Sequence, residues 1–231
     1  MTVVLLWDID GTLLSTARAG VFALEHAARV VTGAPVDLQA VPTAGMTDAQ
    51  IAEQVLRNAG HTASEHEVQV FLDAYAAALP GVLGRRTGRV LPGVREVLDD
   101  LADDPGVLSL LLTGNIAAGA AAKLAHYRLD DVLADGAFCT GPGPRSAIAE
   151  RAMQRAALRL GGAPDPARCF VLGDTPADVA CATAVGVRTI AIASGSHTRA
   201  DLLAAGAWHA VDQLPDPARF RALIGVPAAV A

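Results

Sequence analysis

Residues 3–14 read Val3-Val4-Leu5-Leu6-Trp7-Asp8-Ile9-Asp10-Gly11-Thr12-Leu13-Leu14, an apolar run that stops at two aspartates one residue apart. An apolar run without polar alternation is the pattern of a strand buried on both faces of a parallel sheet. Its end is unusual, because like charges held a few Å apart cost free energy unless something offsets them. Similar runs recur as VLSLLL at 107–112, CFVL at 169–172 and TIAIA at 189–193. Helical patterns lie between them. Residues 94–102 follow Pro92-Gly93, and 116–127 follow Asn115, read as an N-cap. Residues 146–160 have Ser146 as a possible cap, and 176–185 open at Pro176. Strands alternating with helices predict an α/β fold built on a doubly wound, Rossmann-like parallel sheet.

Residues 16–88 interrupt that alternation. They read as helices only, over 17–32, 48–58 and 65–79. The expected organisation is therefore an α/β core domain of residues 1–15 and 89–231 with an inserted α-helical cap domain of residues 16–88. The chain would cross between them near Ser15–Gly20 and Gly88–Gly93. The closing PAAVA is expected to fray.

Composition narrows the function. A content of 52% hydrophobic but only 4% aromatic residues favours packed helices over a sandwich. A net charge of -6 with no run of like charge argues against a nucleic-acid partner. No apolar stretch approaches the ~20 residues that span a bilayer, and no basic segment precedes the first apolar run, so neither membrane association nor a signal peptide is expected. Cys139, Cys169 and Cys181 are too few and scattered for a disulfide framework, and are expected as free thiols in a cytoplasmic protein. Monomer and homodimer both stay open.

In a doubly wound sheet, ligands bind beyond the carboxyl ends of the strands. Those ends carry Asp8 and Asp10, then Thr113-Gly114-Asn115, then Gly173-Asp174-Thr175 with Asp178 one helical turn later. Carboxylates without histidine or cysteine suit a hard cation such as Mg²⁺, which would offset the repulsion among Asp8, Asp10 and Asp174.

The set resembles the haloacid dehalogenase superfamily in its aspartyl-phosphate phosphatase branch. WDIDGTLL is similar to that family's first motif, LLLTGN to its second, and VLGDTPADVACATAVGV to its fourth, while LPGVREVLDDL resembles the segment that re-enters the core after the cap. The insertion point is similar to that of the helical-cap branch, which includes phosphoglycolate phosphatases and β-phosphoglucomutases. The resemblance implies that Asp8 attacks phosphorus and that Asp10 serves as general acid and then base. It implies metal ligation by Asp8, the Asp10 carbonyl and Asp174, with Asp178 in support. Thr113 and the Gly114 N–H would hold phosphoryl oxygens, with Thr12 and Asn115 beside them. From the cap, Met46 and Thr47 in Gly45-Met46-Thr47-Asp48, together with Arg18, would meet the substrate.

The family also places a cation, usually lysine, beside the nucleophile. At the usual spacing this chain has Arg145. Its single lysine, Lys123, is the rival, since helical side chains lean toward the N-terminus and two turns bring its amine near the rim. One of the two is expected to do the work. That lysine sits in AAKL, which excludes a P-loop, and no cap lysine exists for Schiff-base chemistry. Asp10 argues against dehalogenation. The expected function is Mg²⁺-dependent hydrolysis of a small phosphorylated metabolite. A sugar phosphomutase, disfavoured by Thr12 where such mutases often have valine, and a non-catalytic protein on the same fold are the alternatives.

Overall fold

A computed structural model describes residues 2–38 and 41–227; the expected fraying of the tail falls on Ala228–Ala231, outside the described residues. The chain runs β1 (Val3–Trp7), β2 (Leu14–Ser15), α1 (Gly20–Thr32), α2 (Asp48–Asn58) and α3 (Glu65–Val82). It continues through β3 (Arg89–Val90), α4 (Val94–Leu101), β4 (Val107–Ile116), α5 (Ala117–His126), β5 (Gly136–Cys139) and α6 (Ser146–Leu160). Then come β6 (Cys169–Gly173), α7 (Pro176–Ala184), β7 (Arg188–Ile192), α8 (Arg199–Ala204), β8 (His209–Val211) and α9 (Pro217–Ile224).

Six strands form one sheet in the order β5-β4-β1-β6-β7-β8, and every neighbouring pair is parallel. The chain leaves β1 toward β4 and β5, then returns to the other side through β6, so the strand order reverses at β1. Both sheet faces are buried, which is why the apolar runs do not alternate. Val4, Leu6, Leu110 and Val171 pack one way, in a cluster that also takes in α6 and the helices α1–α3. Val3, Leu5, Leu111 and Phe170 pack the other way, against α4, α5 and α9.

The three insert helices lie between β2 and β3, which pair antiparallel through Leu14–Val90 and Ser15–Arg89 and so hold the two crossings side by side. Helix α2 begins at a reciprocal cap between Thr47 and Gln50, and α3 at one between Ser64 and Glu67. Helix α3 packs on α1 and also on α5, and α2 meets β4.

Two local expectations are corrected. Asn115 is not an N-cap: β4 runs on through Ile116, which takes the cap position of α5, because the Asn115 side chain is engaged elsewhere. Ser146 is the first residue of α6, whose cap is Arg145. Strands β5 and β8, the β2–β3 ribbon and helices α8 and α9 were not anticipated.

Candidate active site

The sharp turn after β1 creates the rim. Asp8 N–H donates to Leu172 of β6, the Thr12 and Leu13 amides fold back onto the Ile9 carbonyl, and Gly11 N–H donates to Leu14. Gly11 has φ +78°, and a Cβ there would lie 2.2 Å from Asp174 Oδ2. Glycine therefore serves both the turn and the close approach of Asp174.

One carboxylate oxygen each from Asp8, Asp174 and Asp178 lies within 4.8 Å of the others, and all three residues are buried. The oxygens of Asp178 are occupied. Oδ1 accepts from Arg145 Nη2 at 2.5 Å, and Oδ2 accepts from the Thr175 amide at 3.0 Å and hydroxyl at 2.7 Å. The same Nη2 lies 3.1 Å from Asp8 Oδ2. Arg145 thus ties the end of β1 to the first turn of α7. Asp174 has no ion-pair partner among the described residues. Burial, together with the charges of Asp8, Asp178 and Asp10, pushes its pKa up to about 8. Burial also raises Asp8 to about 6, against the opposing pull of Arg145.

A second network surrounds Asp10. Lys123 Nζ donates to Asp10 Oδ2 at 2.5 Å and to Asn115 Oδ1 at 2.6 Å. Asn115 Nδ2 donates to the same Asp10 Oδ2 at 2.9 Å and to Thr113 Oγ1 at 2.8 Å. Burial opposes the charge on Lys123, but Asp10, Tyr75 and Asp48 outweigh it and hold the amine protonated well above the ordinary lysine range. Both cations proposed as rivals therefore reach the rim, each at a different aspartate.

These groups open onto a cavity of ≈ 670 Å³. Asp8, Asp10, Gly114, Asn115, Lys123, Arg145 and Asp174 line it from the sheet, and Arg18 and Met46 from the insert. Arg18 also donates to the Leu38 carbonyl at 3.3 Å. A Cβ at Gly114 would lie 2.8 Å from the Met46 carbonyl and 3.1 Å from Arg145 Nη1, so the insert loop, this glycine and the guanidinium meet at one point. Three of the expected substrate contacts do not line the cavity. Thr47 Oγ1 is taken up by the Gln50 amide. Thr113 is fully buried with its hydroxyl on Asn115. Thr12 is fully buried.

Asp48 and Tyr75 also line the cavity; Asp48 closes the Gly45–Asp48 stretch expected to face the substrate but carried no role of its own, and Tyr75 carried none. Asp48 follows the cap residue Thr47 and reads as an acid in the first helical turn; Tyr75 reads as a core position of α3. Asp48 Oδ2 accepts the Ile116 N–H at 2.8 Å, and burial raises its pKa to about 6.

A family model of haloacid dehalogenase-like hydrolases matches residues 5–183, from β1 through nearly all of α7. The chain is a haloacid dehalogenase-like hydrolase. No curated protein matches it. Among solved structures, a hydrolase from Pseudomonas syringae is similar at 21% identity and a TM-score of 0.69, covering 94% of each chain. CbbY from Rhodobacter sphaeroides, in complex with phosphate, is similar at 17% identity and 0.67, over 92% of this chain and 95% of that one. A protein from Bacteroides vulgatus described as a candidate β-phosphoglucomutase is similar at 21% identity and 0.67, over 97% and 89%. These likenesses establish the shared fold of this hydrolase family. Among its described residues no helix is long and apolar enough to cross a membrane.

Proposed function

We propose that this hydrolase is a Mg²⁺-dependent phosphatase of a small phosphorylated metabolite, acting through an aspartyl-phosphate on Asp8. The observation that carries the reading is the different support given to the two rim aspartates. Asp8 faces the Arg145–Asp178 pair, while Asp10 is held by one oxygen between Lys123 and Asn115.

The donor set fits a hard dication. When ionised, Asp8, Asp174 and Asp178 bring three negative charges against the one charge of Arg145. Asp8 and Asp174 would hold the metal together with the Asp10 main-chain carbonyl. Asp178, its oxygens already used, orients Arg145 and the α7 turn. When bound, Mg²⁺ neutralises charge between Asp8 and the phosphoryl oxygens.

An Asp8 oxygen attacks phosphorus. The bond to the leaving oxygen breaks with its electron pair on that oxygen, which takes the proton from Asp10. Water then attacks phosphorus and gives its proton to Asp10, and the bond to Asp8 breaks. Arg145 Nη1 and the Gly114 N–H, adjacent at the end of β4, receive the phosphoryl oxygens. Residues 16–88 act as a cap domain on the core of residues 1–15 and 89–231. Arg18 and Met46 face the remainder of the substrate. A cytoplasmic location accords with three free, buried thiols.

The test is phosphate release from p-nitrophenyl phosphate and a panel of phosphorylated metabolites, with Mg²⁺ and with EDTA. Turnover lost in EDTA and restored by Mg²⁺ is expected. Absence of turnover on every ester would contradict the reading.

A further inference from the structure

Lys123 offers three N–H donors. One goes to Asp10 Oδ2 and one to Asn115 Oδ1, and the Tyr75 hydroxyl lies beside the same buried ammonium. Tyr75 belongs to α3 of the insert. From α2, Asp48 accepts the N–H of Ile116, the peptide directly after Asn115 and the cap of the helix that carries Lys123. The first turn of α5 has a glycine facing both insert residues: a Cβ at Gly119 would lie 3.4 Å from the Tyr75 ring and 3.6 Å from Asp48 Oδ2. The insert therefore seats on the junction of β4 and α5, with Tyr75 beside Lys123 and Asp48 holding the peptide N–H that directly follows Asn115. Lys123 and Asn115 both donate to Oδ2 of Asp10, while the Asp10 side chain stays 42% exposed toward the cavity.

We propose that Asp48 and Tyr75 are positioning residues for proton transfer. They fix Asn115 and Lys123, these pin Oδ2 of Asp10, and Oδ1 is left as the oxygen that exchanges the proton with the leaving group. Acid catalysis is thereby tied to a seated insert. The inference rests on the phosphatase reading with Asp10 as the acid.

The test compares two esters. p-Nitrophenolate departs without needing a proton, whereas the alkoxide of β-glycerol phosphate must be protonated as it leaves. kcat/KM reports the phosphorylation half-reaction for both. In Tyr75→Phe and in Asp48→Ala, kcat/KM for β-glycerol phosphate should fall at least about tenfold further than for p-nitrophenyl phosphate. Asp10→Asn should show the same split more strongly. Equal losses on the two esters, or no loss on either, would overturn the proposal, since a merely structural role does not distinguish leaving groups. Should Asp48→Ala fail to fold, Asp48→Asn and Tyr75→Phe decide the matter by the same ratio. If Asp10→Asn shows no split, the functional reading itself fails and this proposal with it.

Discussion

Asp8 and Arg145 form the tightest test at the scale of single residues. In the proposed chemistry Asp8 supplies the bond to phosphorus, and nothing else on the rim can replace it. Asp8→Ala should lower kcat by at least about a thousandfold while leaving the circular dichroism spectrum unchanged. Substantial turnover by the folded variant would remove Asp8 from the chemistry. Arg145 bridges Asp8 and Asp178 through one nitrogen and presents the other near Gly114. Arg145→Ala should reduce kcat/KM by at least about a hundredfold, or roughly 2.7 kcal/mol. Arg145→Lys should not restore it, because a single ammonium cannot span both positions. Steady-state kinetics of the two variants check this; full activity in the lysine variant would count against a guanidinium clamp. Asp8 and Asp174 were legible in the sequence because each follows an apolar strand directly. The division of labour between Lys123 and Arg145 was not. Lys123 lies within α5 and Arg145 caps α6 at the same rim, and only the folded chain shows which carboxylate each one reaches.

At the scale of elements, the ends of β1 and β6 bring Asp8 and Asp174 together with too little positive charge. The metal-free protein carries the consequence in its pH dependence. Burial and neighbouring carboxylates lift Asp174 from 3.8 to about 8 and Asp8 to about 6. A carboxyl with a raised folded-state pKa favours the folded state below its unfolded value, and that contribution is lost as pH rises through the folded value. In EDTA, Tm should therefore fall between about pH 4 and pH 8. Saturating Mg²⁺ should raise Tm most at the upper end, where both carboxylates are ionised, since a ligand bound only to the folded state stabilises it. Thermal melts across that window test it; curves indifferent to Mg²⁺ would speak against the site. Strands β1, β4, β6 and β7 were readable because burial on both faces leaves long apolar runs. Strand β5, GAFC, and the three-residue β8 were not, being short and poor in β-branched residues. The β2–β3 ribbon has two residues per strand, too few for a pattern, and pairs Leu14 with Val90 and Ser15 with Arg89, far apart in the chain, where the two ends of the insert meet.

On the scale of the whole molecule, stability and catalysis separate. Arg221 of α9 is 3% exposed and donates to Asp100 at 2.6 Å, to Asp104 at 2.5 Å and to the Asp100 carbonyl at 2.7 Å. That cluster ties α9 to α4 and its following loop, and none of its members lines the cavity. Arg221→Ala should cost about 2 kcal/mol or more of unfolding free energy, measured by urea denaturation, with kcat/KM unchanged. A parallel loss of activity would show coupling that the structure does not display. The insert behaves differently, because Asp48 stands 68 residues before Ile116, whose N–H it accepts, and no local pattern marks such a pairing. A phosphoryl group carried on Asp8 and released with help from Asp10 should accumulate in Asp10→Asn turning over p-nitrophenyl phosphate. That ester needs no acid to phosphorylate Asp8, but hydrolysis of the intermediate lacks its base. A rapid burst of about one p-nitrophenolate per chain is expected, followed by slow turnover, with the phosphoryl group located on Asp8 by mass spectrometry of the acid-quenched protein. Steady release at the wild-type rate without a burst, or a phosphoryl group on another residue, would contradict that chemistry.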